Sequence, residues 1–431
     1  MAAAYGLLLL PSPPSLPSPP ALEAALDPPL TCALARLAKL AAASPRGALL
    51  DIAVPCPGFC LGGETPAQLF GNVQRLLAGI YSLLAFIYDR DAISSSGEGI
   101  VDTRVLLVYY NPDQNVPSRP LLPPCVVELP RLARSRRCWT HVFVVESEPG
   151  EDIHQQFKSF ATGGIGERTS PCWKTERVRG GIQVRIIGGA GSGVQGTESQ
   201  VAYCDVVNGG AYDHLHFGHK LVLTMTSFLV EIPHSNNTKG PSRIVIGVTE
   251  EDLLSNERYS QYMETWDTRQ KNVMNFLLAI HDFTPPGIAL PEIPQKPEAG
   301  PVSKVVVAKP YPFLSIEIIA HSDRYGPAIN NEALSALVLS GKSRADAKAV
   351  NDQRKEKGWR ELDVFEVYVV HTESLDTDED IEKAKSASFA TKLSSKETRK
   401  KMYETLQGSY LPPKDVPIGI TEANDNGALG I

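Results

Sequence analysis

The sequence predicts an α/β protein with two units, each built from strands that alternate with helices. In the first unit, apolar runs at 104–110 and 140–146 are typical of strands, and helical patterns fall at 22–43 and 67–88. In the second unit the alternation is more regular. Strands that alternate with helices favour a parallel sheet with helices on both faces.

The second unit supplies most of the predicted elements. Its predicted strands are 201–207, 243–248, 304–308, 336–340 and 363–370, and its predicted helices are 219–230, 267–281, 344–358 and 394–407. A proline-rich insert at 284–301 is expected to be an exposed loop. The predicted organisation is therefore an amino-terminal α/β domain at 1–160, a Gly-rich linker at 161–200, a second domain at 201–410 and a disordered tail at 411–431.

The composition of the chain limits the classes of protein to which it could belong. With 431 residues, 42% of them hydrophobic and 21% charged, the chain has enough apolar material for globular cores. A net charge of −7 argues against nucleic-acid binding, because phosphate backbones attract basic faces. The basic run at 131–137, RLARSRR, is predicted to be a solvated face.

Cysteine usage and the opening segment bear on the compartment. Seven cysteines include no CxxC pair, so a zinc site has no support from spacing, and reduced thiols are expected. The opening segment lacks a basic stretch, and its apolar run covers only 7–10. No apolar run approaches the roughly 20 residues of a membrane helix. The prediction is a cytoplasmic protein without membrane or nucleic-acid partners.

One glycine motif is excluded as a cofactor site. Residues 191–196 read GSGVQG and match the dinucleotide fingerprint GxGxxG. That fingerprint requires a helix directly after it, so that the helix amino terminus meets a pyrophosphate. The following run, TESQVAYCDVV, is typical of a strand.

The stretch NGGAYDHLHFGHKLVL at 208–223 is the most informative in the sequence, because three of the nine histidines fall between 214 and 219. Gly209 and Gly210 would let the backbone approach a bound group closely. A helix that begins near Gly218 offers free N–H groups and a positive dipole end. His216 and His219, three residues apart, would face one pocket. The stretch predicts a phosphate site, and the alternative is that the histidines only cap or pack.

The pattern Gly-Gly-x-x-Asp-x-x-His-x-Gly-His resembles the signature of the nucleotidyltransferase superfamily that carries an HxGH element. Its surroundings resemble phosphopantetheine adenylyltransferase in its eukaryotic, fungal-type form, over about 206–403. Further segments that carry the resemblance are IVIGVTEEDLL with ETWDTRQKNVMNFL, SALVLSGKSRADAKAVNDQRKEKGW and KLSSKETRKK, and in the first unit LDIAVPCP and RVLLVYYN. The resemblance implies a Rossmann-like nucleotidyltransferase domain preceded by a second α/β domain.

The resemblance also implies a reaction. ATP and 4′-phosphopantetheine would give dephospho-coenzyme A and pyrophosphate in coenzyme A biosynthesis. No covalent intermediate is expected, so catalysis would consist of positioning and charge stabilisation. His219 would stabilise the pentacoordinate α-phosphate, and His216 would contact the ATP phosphates. Mg²⁺ would enter with the triphosphate of ATP, and no metal ligands are assigned to the chain.

Further residues are expected to bind ATP and its phosphates. They are Gly209, Gly210, Ala211, Asp213, Gly218, Lys220, Arg258, Ser394, Ser395 and Arg399. Among these, Ser394 and Ser395 open a predicted helix and suit the β- and γ-phosphates. The alternative is that they are plain helix caps.

Two positions depart from the family pattern. Ala211 stands where the family usually has Thr, and Ser255 stands where it tends to have Lys. Arg258 could replace the missing ammonium, and Lys396 in the late motif could recover some charge. Losing a hydroxyl and an ammonium from a phosphate site would cost a few kcal/mol of transition-state stabilisation.

Three functions remain open from the sequence. The first is an active adenylyltransferase; no GxxxxGK[ST] element for a fused dephospho-coenzyme A kinase occurs, so the chain is expected to stop at dephospho-coenzyme A. The second is a diverged paralogue that acts as a scaffold or regulator among other enzymes of coenzyme A synthesis, which Ala211 and Ser255 favour. The third is a related nucleotidyltransferase that uses another acceptor or CTP.

Overall fold

The computed structural model describes residues 4–13, 18–56, 64–93, 100–110, 122–162, 172–182, 202–232, 240–286, 298–299, 304–341, 344–368 and 395–408. Four predicted features lie wholly or largely outside these ranges. They are the GSGVQG motif, most of the 284–301 insert, Ser394 and the tail at 411–431.

The first sheet has six parallel strands in the order β4-β3-β2-β1-β5-β6. Its strands are β1 Ala4–Leu9, β2 Ala48–Pro55, β3 Val101–Tyr109, β4 Val126–Glu128, β5 His141–Val145 and β6 Lys174–Val178. Its helices are α1 Pro19–Ala41, α2 Pro66–Arg90, α3 Leu129–Ala133 and α4 Glu148–Thr162. Thr65 and Gln68 form a capping box that starts α2. The apolar run at 7–10 belongs to the central strand β1 and its end, and is buried.

The second sheet has seven strands in the order β13-β12-β7-β8-β11-β10-β9. Its strands are β7 Asp205–Gly210, β8 Ser242–Thr249, β9 Glu298–Ala299, β10 Lys304–Tyr311, β11 Leu314–His321, β12 Ala336–Ser340 and β13 Asp363–Val367. Its helices are α5 Phe217–Leu229, α6 Glu251–Leu254, α7 Trp266–His281, α8 Pro327–Asn330, α9 Arg344–Glu356 and α10 Ser395–Gly408. β7 pairs in parallel with both β8 and β12, so the strand order reverses at β7. Ligands of such sheets bind at the carboxyl ends of the strands beside this reversal.

The predicted α/β fold is confirmed, but the elements differ from the prediction in several places. The sequence did not predict the strands β1, β2, β4, β9 and β11. The second sheet is mixed, because β10 pairs antiparallel with β9 as well as with β11. β10 is antiparallel to β11, because only two residues separate the strands and a connection that short can join only antiparallel neighbours. β6 lies within the range predicted to be a linker, where it forms an edge of the first sheet beside β5. Most of the side chains of β6 are exposed, so its sequence lacks the apolar run that would predict a strand.

The two sheets share one continuous hydrophobic core, in which α2 packs against α5. The rings of Tyr81 and Tyr88 contact Phe217 at centroid distances of 5.8 and 5.2 Å. By length and composition, α2 could cross a membrane, although the sequence predicts no such segment. Within the fold, 67% of its most apolar window is buried. Burial of this kind is typical of a core helix.

Part of the basic run at 131–137 lies between the two units, so its prediction as a solvated face is wrong for two arginines. Arg137 binds the buried carboxylate of Asp51 at 2.8 Å, and it also donates to the carbonyl of Ala279 at the end of α7. Arg136 pairs with Asp282. These partners are distant in sequence, which is why the local run of charge suggested solvent.

Candidate functional site

Two histidines lie stacked where β7 leads into α5. His216 is the N-cap of α5, and its Nδ1 accepts a hydrogen bond from the backbone N–H of His219 at 3.4 Å. The two rings are 3.8 Å apart between centroids and inclined by 17°. Because Nδ1 of His216 accepts, the proton of its neutral ring lies on Nε2.

His219 is held in its neutral form. Its Nδ1 is buried without a hydrogen-bond partner among the residues that the structure describes, and desolvation lowers the pKa of the imidazole to about 3. The ring of Tyr212 packs against it at a centroid distance of 5.2 Å. A neutral imidazole offers a single N–H donor, and an uncharged His219 avoids repulsion if the stacked His216 becomes protonated.

The turn that precedes the histidines is strained. Tyr212 and His214 have φ values of 53° and 47°, in the left-handed region that non-glycine residues rarely adopt. Two contacts stabilise this geometry. The hydroxyl of Tyr212 donates to the side chain of Asn208 in β7, and the ring Nε2 of His214 donates to the carbonyl of Tyr262 at 2.9 Å.

The buried carboxylate of Asp213 joins the turn to α10. Its Oδ2 lies 2.6 Å from Nη1 of Arg399, and its Oδ1 accepts the N–H of Glu264 at 2.9 Å. The hydroxyl of Ser395 donates to the carbonyl of Asp213 at 2.6 Å. The structure therefore brings Ser395 and Arg399 to the turn, but the charge of Arg399 is paired with the carboxylate of Asp213.

The other residues predicted to bind ATP fall into two groups. Gly209 and Gly210 end β7, Ala211 follows them, and Gly218 lies in the first turn of α5, so all four line the turn. Lys220 does not face the histidines, because its ammonium contacts Asp102 and, at 2.8 Å, the carbonyl of Thr103 in β3. The side chain of Arg258 is exposed, and its backbone carbonyl accepts Nε of Arg399.

Arg269 of α7 is a site residue that sequence reasoning missed. It is fully buried, and its guanidinium donates to the carbonyls of Ala211 at 2.6 Å, Thr249 at 2.8 Å and Glu264 at 2.9 Å. Burial lowers its pKa. The available signal was an arginine on the apolar face of a helix, three residues after Trp266 and four before Val273.

Asp213, His214 and Glu264 form a group that could hold a metal ion, because their side-chain ligand atoms all lie within 4.8 Å of one another. Two backbone N–H groups, those of Glu264 and His214, donate to its carboxylates, and the guanidinium of Arg399 lies beside Asp213. The guanidinium of Arg399 therefore supplies positive charge beside this group.

Comparison with known proteins gives separate results for the two parts of the chain. A family profile described as "Domain of unknown function (DUF8446)" matches residues 1–184. Phosphopantetheine adenylyltransferase of Saccharomyces cerevisiae is 27% identical over 162 residues, which are 38% of this chain and 40% of that protein. The enzyme of the same name from Pyrobaculum aerophilum is 25% identical over 167 residues, which are 38% of this chain and 80% of that protein.

A solved structure of a protein of unknown function from Archaeoglobus fulgidus is 19% identical, with a TM-score of 0.25, over 40% of this chain and 93% of that one. The sequence matches cover well under half of this chain. The match also spans only about two fifths of the Saccharomyces protein. This chain is a distant relative of phosphopantetheine adenylyltransferases and, through them, of nucleotidyltransferases.

Proposed function

We propose that the chain transfers an adenylyl group from MgATP to 4′-phosphopantetheine, which gives dephospho-coenzyme A and pyrophosphate. The observation that carries the proposal is the stacked pair of His216 and His219 at the amino terminus of α5. The pair follows β7, which ends in two glycines beside the reversal of strand order, after the turn at 211–215. The distant relatives named phosphopantetheine adenylyltransferase support the choice of substrates.

The proposed step is an in-line displacement at the α-phosphorus of ATP. A phosphate oxygen of 4′-phosphopantetheine forms the new P–O bond, and the bond to the β-phosphate oxygen breaks to release pyrophosphate. Negative charge grows on the non-bridging oxygens of the α-phosphate in the transition state. Neutral His219, with its proton on Nε2, donates a hydrogen bond to one of these oxygens. No side chain has to act as a nucleophile.

His216 and two helix termini complete the proposed phosphate site. Nε2–H of His216 donates to the ATP phosphates beside the free N–H groups that begin α5. Ser395 begins α10 and lies against the turn, where its helix terminus faces the β- and γ-phosphates. The exposed side chain of Arg258 supplies positive charge beside α10, whose Arg399 donates to the backbone carbonyl of Arg258. Mg²⁺ arrives with ATP as part of the substrate, and the proposed location is the cytoplasm.

The test is direct. The purified chain is incubated with ATP, Mg²⁺ and 4′-phosphopantetheine, and dephospho-coenzyme A is measured by mass spectrometry. Replacing His219 with Ala should lower the turnover about 100-fold to 1,000-fold, the scale of one lost charge-stabilising donor. His141→Gln, a half-buried histidine in the first sheet, is the matched control and should retain turnover. An equal loss in both variants, or no product from the unaltered chain, would contradict the proposal.

One observation favours a second candidate, a diverged scaffold or regulator of coenzyme A synthesis. Two of the cations predicted to bind phosphate, Lys220 and Arg399, are both engaged by protein carboxylates. Titration calorimetry with ATP separates the candidates. ATP binding without formation of dephospho-coenzyme A would support the scaffold, whereas product that depends on His219 supports the enzyme.

A further inference from the structure

The first turn of α5 is shared between the two units of the chain. On one side, His216 and His219 face the strained turn after β7. On the other side, Phe217 and Lys220, which are also three residues apart, face the amino-terminal unit. Along this turn of the helix, residues of the candidate site therefore alternate with residues that contact the domain at 1–184.

The contacts of Lys220 with the first unit are specific. Its side chain is 5% exposed, its ammonium binds the carboxylate of Asp102, and it donates to the carbonyl of Thr103 at 2.8 Å. The rings of Phe217 and Phe276 flank the ammonium at 5.7 and 5.9 Å. A buried ammonium without a partner is strongly unfavourable, so the position of Lys220 depends on Asp102.

Helix electrostatics increase this dependence. Lys220 lies in the first turn of α5, where the partial positive charge of the helix terminus repels a cation. Nothing within α5 offsets this repulsion, because its first turn contains no acidic residue. The carboxylate of Asp102 in β3 supplies the compensating charge from outside the helix.

We infer that Lys220 is a positioning residue through which Asp102 of the amino-terminal unit fixes the helix start that carries His216 and His219. The inference gives the DUF8446 domain a role, namely to hold the histidine pair in register with the turn. The effect on turnover rests on the proposed function, whereas the effect on the geometry of the histidines does not.

The test uses the full chain with Asp102→Asn, which keeps the shape and removes the charge of a side chain that is 49% exposed. Hydrogen exchange is followed at the amides of His219 and Lys220, both of which bond to His216. Nitrogen-15 spectra report the imidazoles of the histidine pair. Arg136→Gln is the matched control, because it breaks an ion pair between the same two units at the far end of α7.

In Asp102→Asn we expect exchange at the two amides to quicken at least tenfold and the ring signals of His216 and His219 to shift. Turnover should fall at least tenfold, because small displacements of positioned groups reduce rates steeply. Arg136→Gln should leave the histidine signals unchanged.

Two results would overturn the inference. One is an Asp102→Asn variant with unaltered exchange and unaltered imidazole signals. The other is the same histidine response in Arg136→Gln, which would show general loosening between the units. A histidine response in Asp102→Asn without any product from the unaltered chain would support the positioning role while the proposed adenylyltransferase activity fails.

Discussion

Arg399 and Asp213 form a buried ion pair, 2.6 Å between Nη1 and Oδ2, that fastens α10 to the turn after β7. Both side chains are at most 3% exposed. Arg399 also donates to the carbonyl of Arg258, so one guanidinium connects the helix, the turn and the segment after α6. The pair therefore determines whether Ser395 lies against the candidate site.

Replacing Arg399 with Met should lower the free energy of unfolding by about 3–5 kcal/mol, because it leaves the Asp213 carboxylate buried without its cation. Denaturant unfolding measures this change. Lys348→Met is the matched control, since Lys348 and Asp352 form an exposed pair whose loss should cost at most about 1 kcal/mol. Equal losses in the two variants would show that burial does not strengthen the Asp213 pair.

Replacing Tyr212 with Phe should lower the free energy of unfolding by about 1–3 kcal/mol, because the buried side-chain oxygen of Asn208 loses its hydrogen-bond donor. The ring that packs on His219 is retained. Turnover should therefore fall much less than in His219→Ala, and the comparison separates the support of the turn from the chemistry. A loss of turnover as large as that of His219→Ala would mean that the hydroxyl itself acts on substrate.

Local patterns predicted the β7–turn–α5 segment well, because its signals are contiguous. The predicted helix at 219–230 corresponds to α5 at Phe217–Leu229. Features that depend on distant partners could not be predicted in this way. Lys220 was expected at the phosphates, but its partner Asp102 lies 118 residues earlier in the chain. No pattern within α5 reveals that contact.

The same limit applies to Arg399 and to the arginines at the junction of the two units. A charged residue in a sequence shows that a charge must be stabilised, but it does not show whether water, a ligand or a protein carboxylate stabilises it. Only the fold decides among these. The predicted roles of Ala211, Ser395 and the histidines in phosphate binding remain predictions that the activity test addresses.

Replacing Arg269 with Lys should lower the free energy of unfolding by about 2–4 kcal/mol. The ammonium keeps the charge but cannot reproduce a planar group that reaches the carbonyls of Ala211, Thr249 and Glu264 together. Thermal and denaturant unfolding measure the loss. Lys271→Arg, on the exposed face of the same helix, is the control and should change stability by at most about 0.5 kcal/mol.

The neutral state of His219 predicts how stability depends on pH. Its pKa is about 3 in the folded protein, below the value near 6.5 expected in the unfolded chain. Between these values the unfolded state binds a proton that the folded state does not, so acid favours unfolding. Stability from this group is complete above about pH 6.5 and falls by about 1.4 kcal/mol per pH unit as the pH drops from there toward 3.

Replacing His219 with Gln should remove this contribution, so the variant loses less stability than the unaltered chain between pH 6.5 and 5. Urea unfolding at several pH values measures the two slopes. His281, whose buried ring has a pKa lowered to about 4, contributes to the slope in both proteins and so cancels in the difference. Identical slopes would mean that His219 titrates normally in the fold, and its role as a neutral donor would then lose its physical basis.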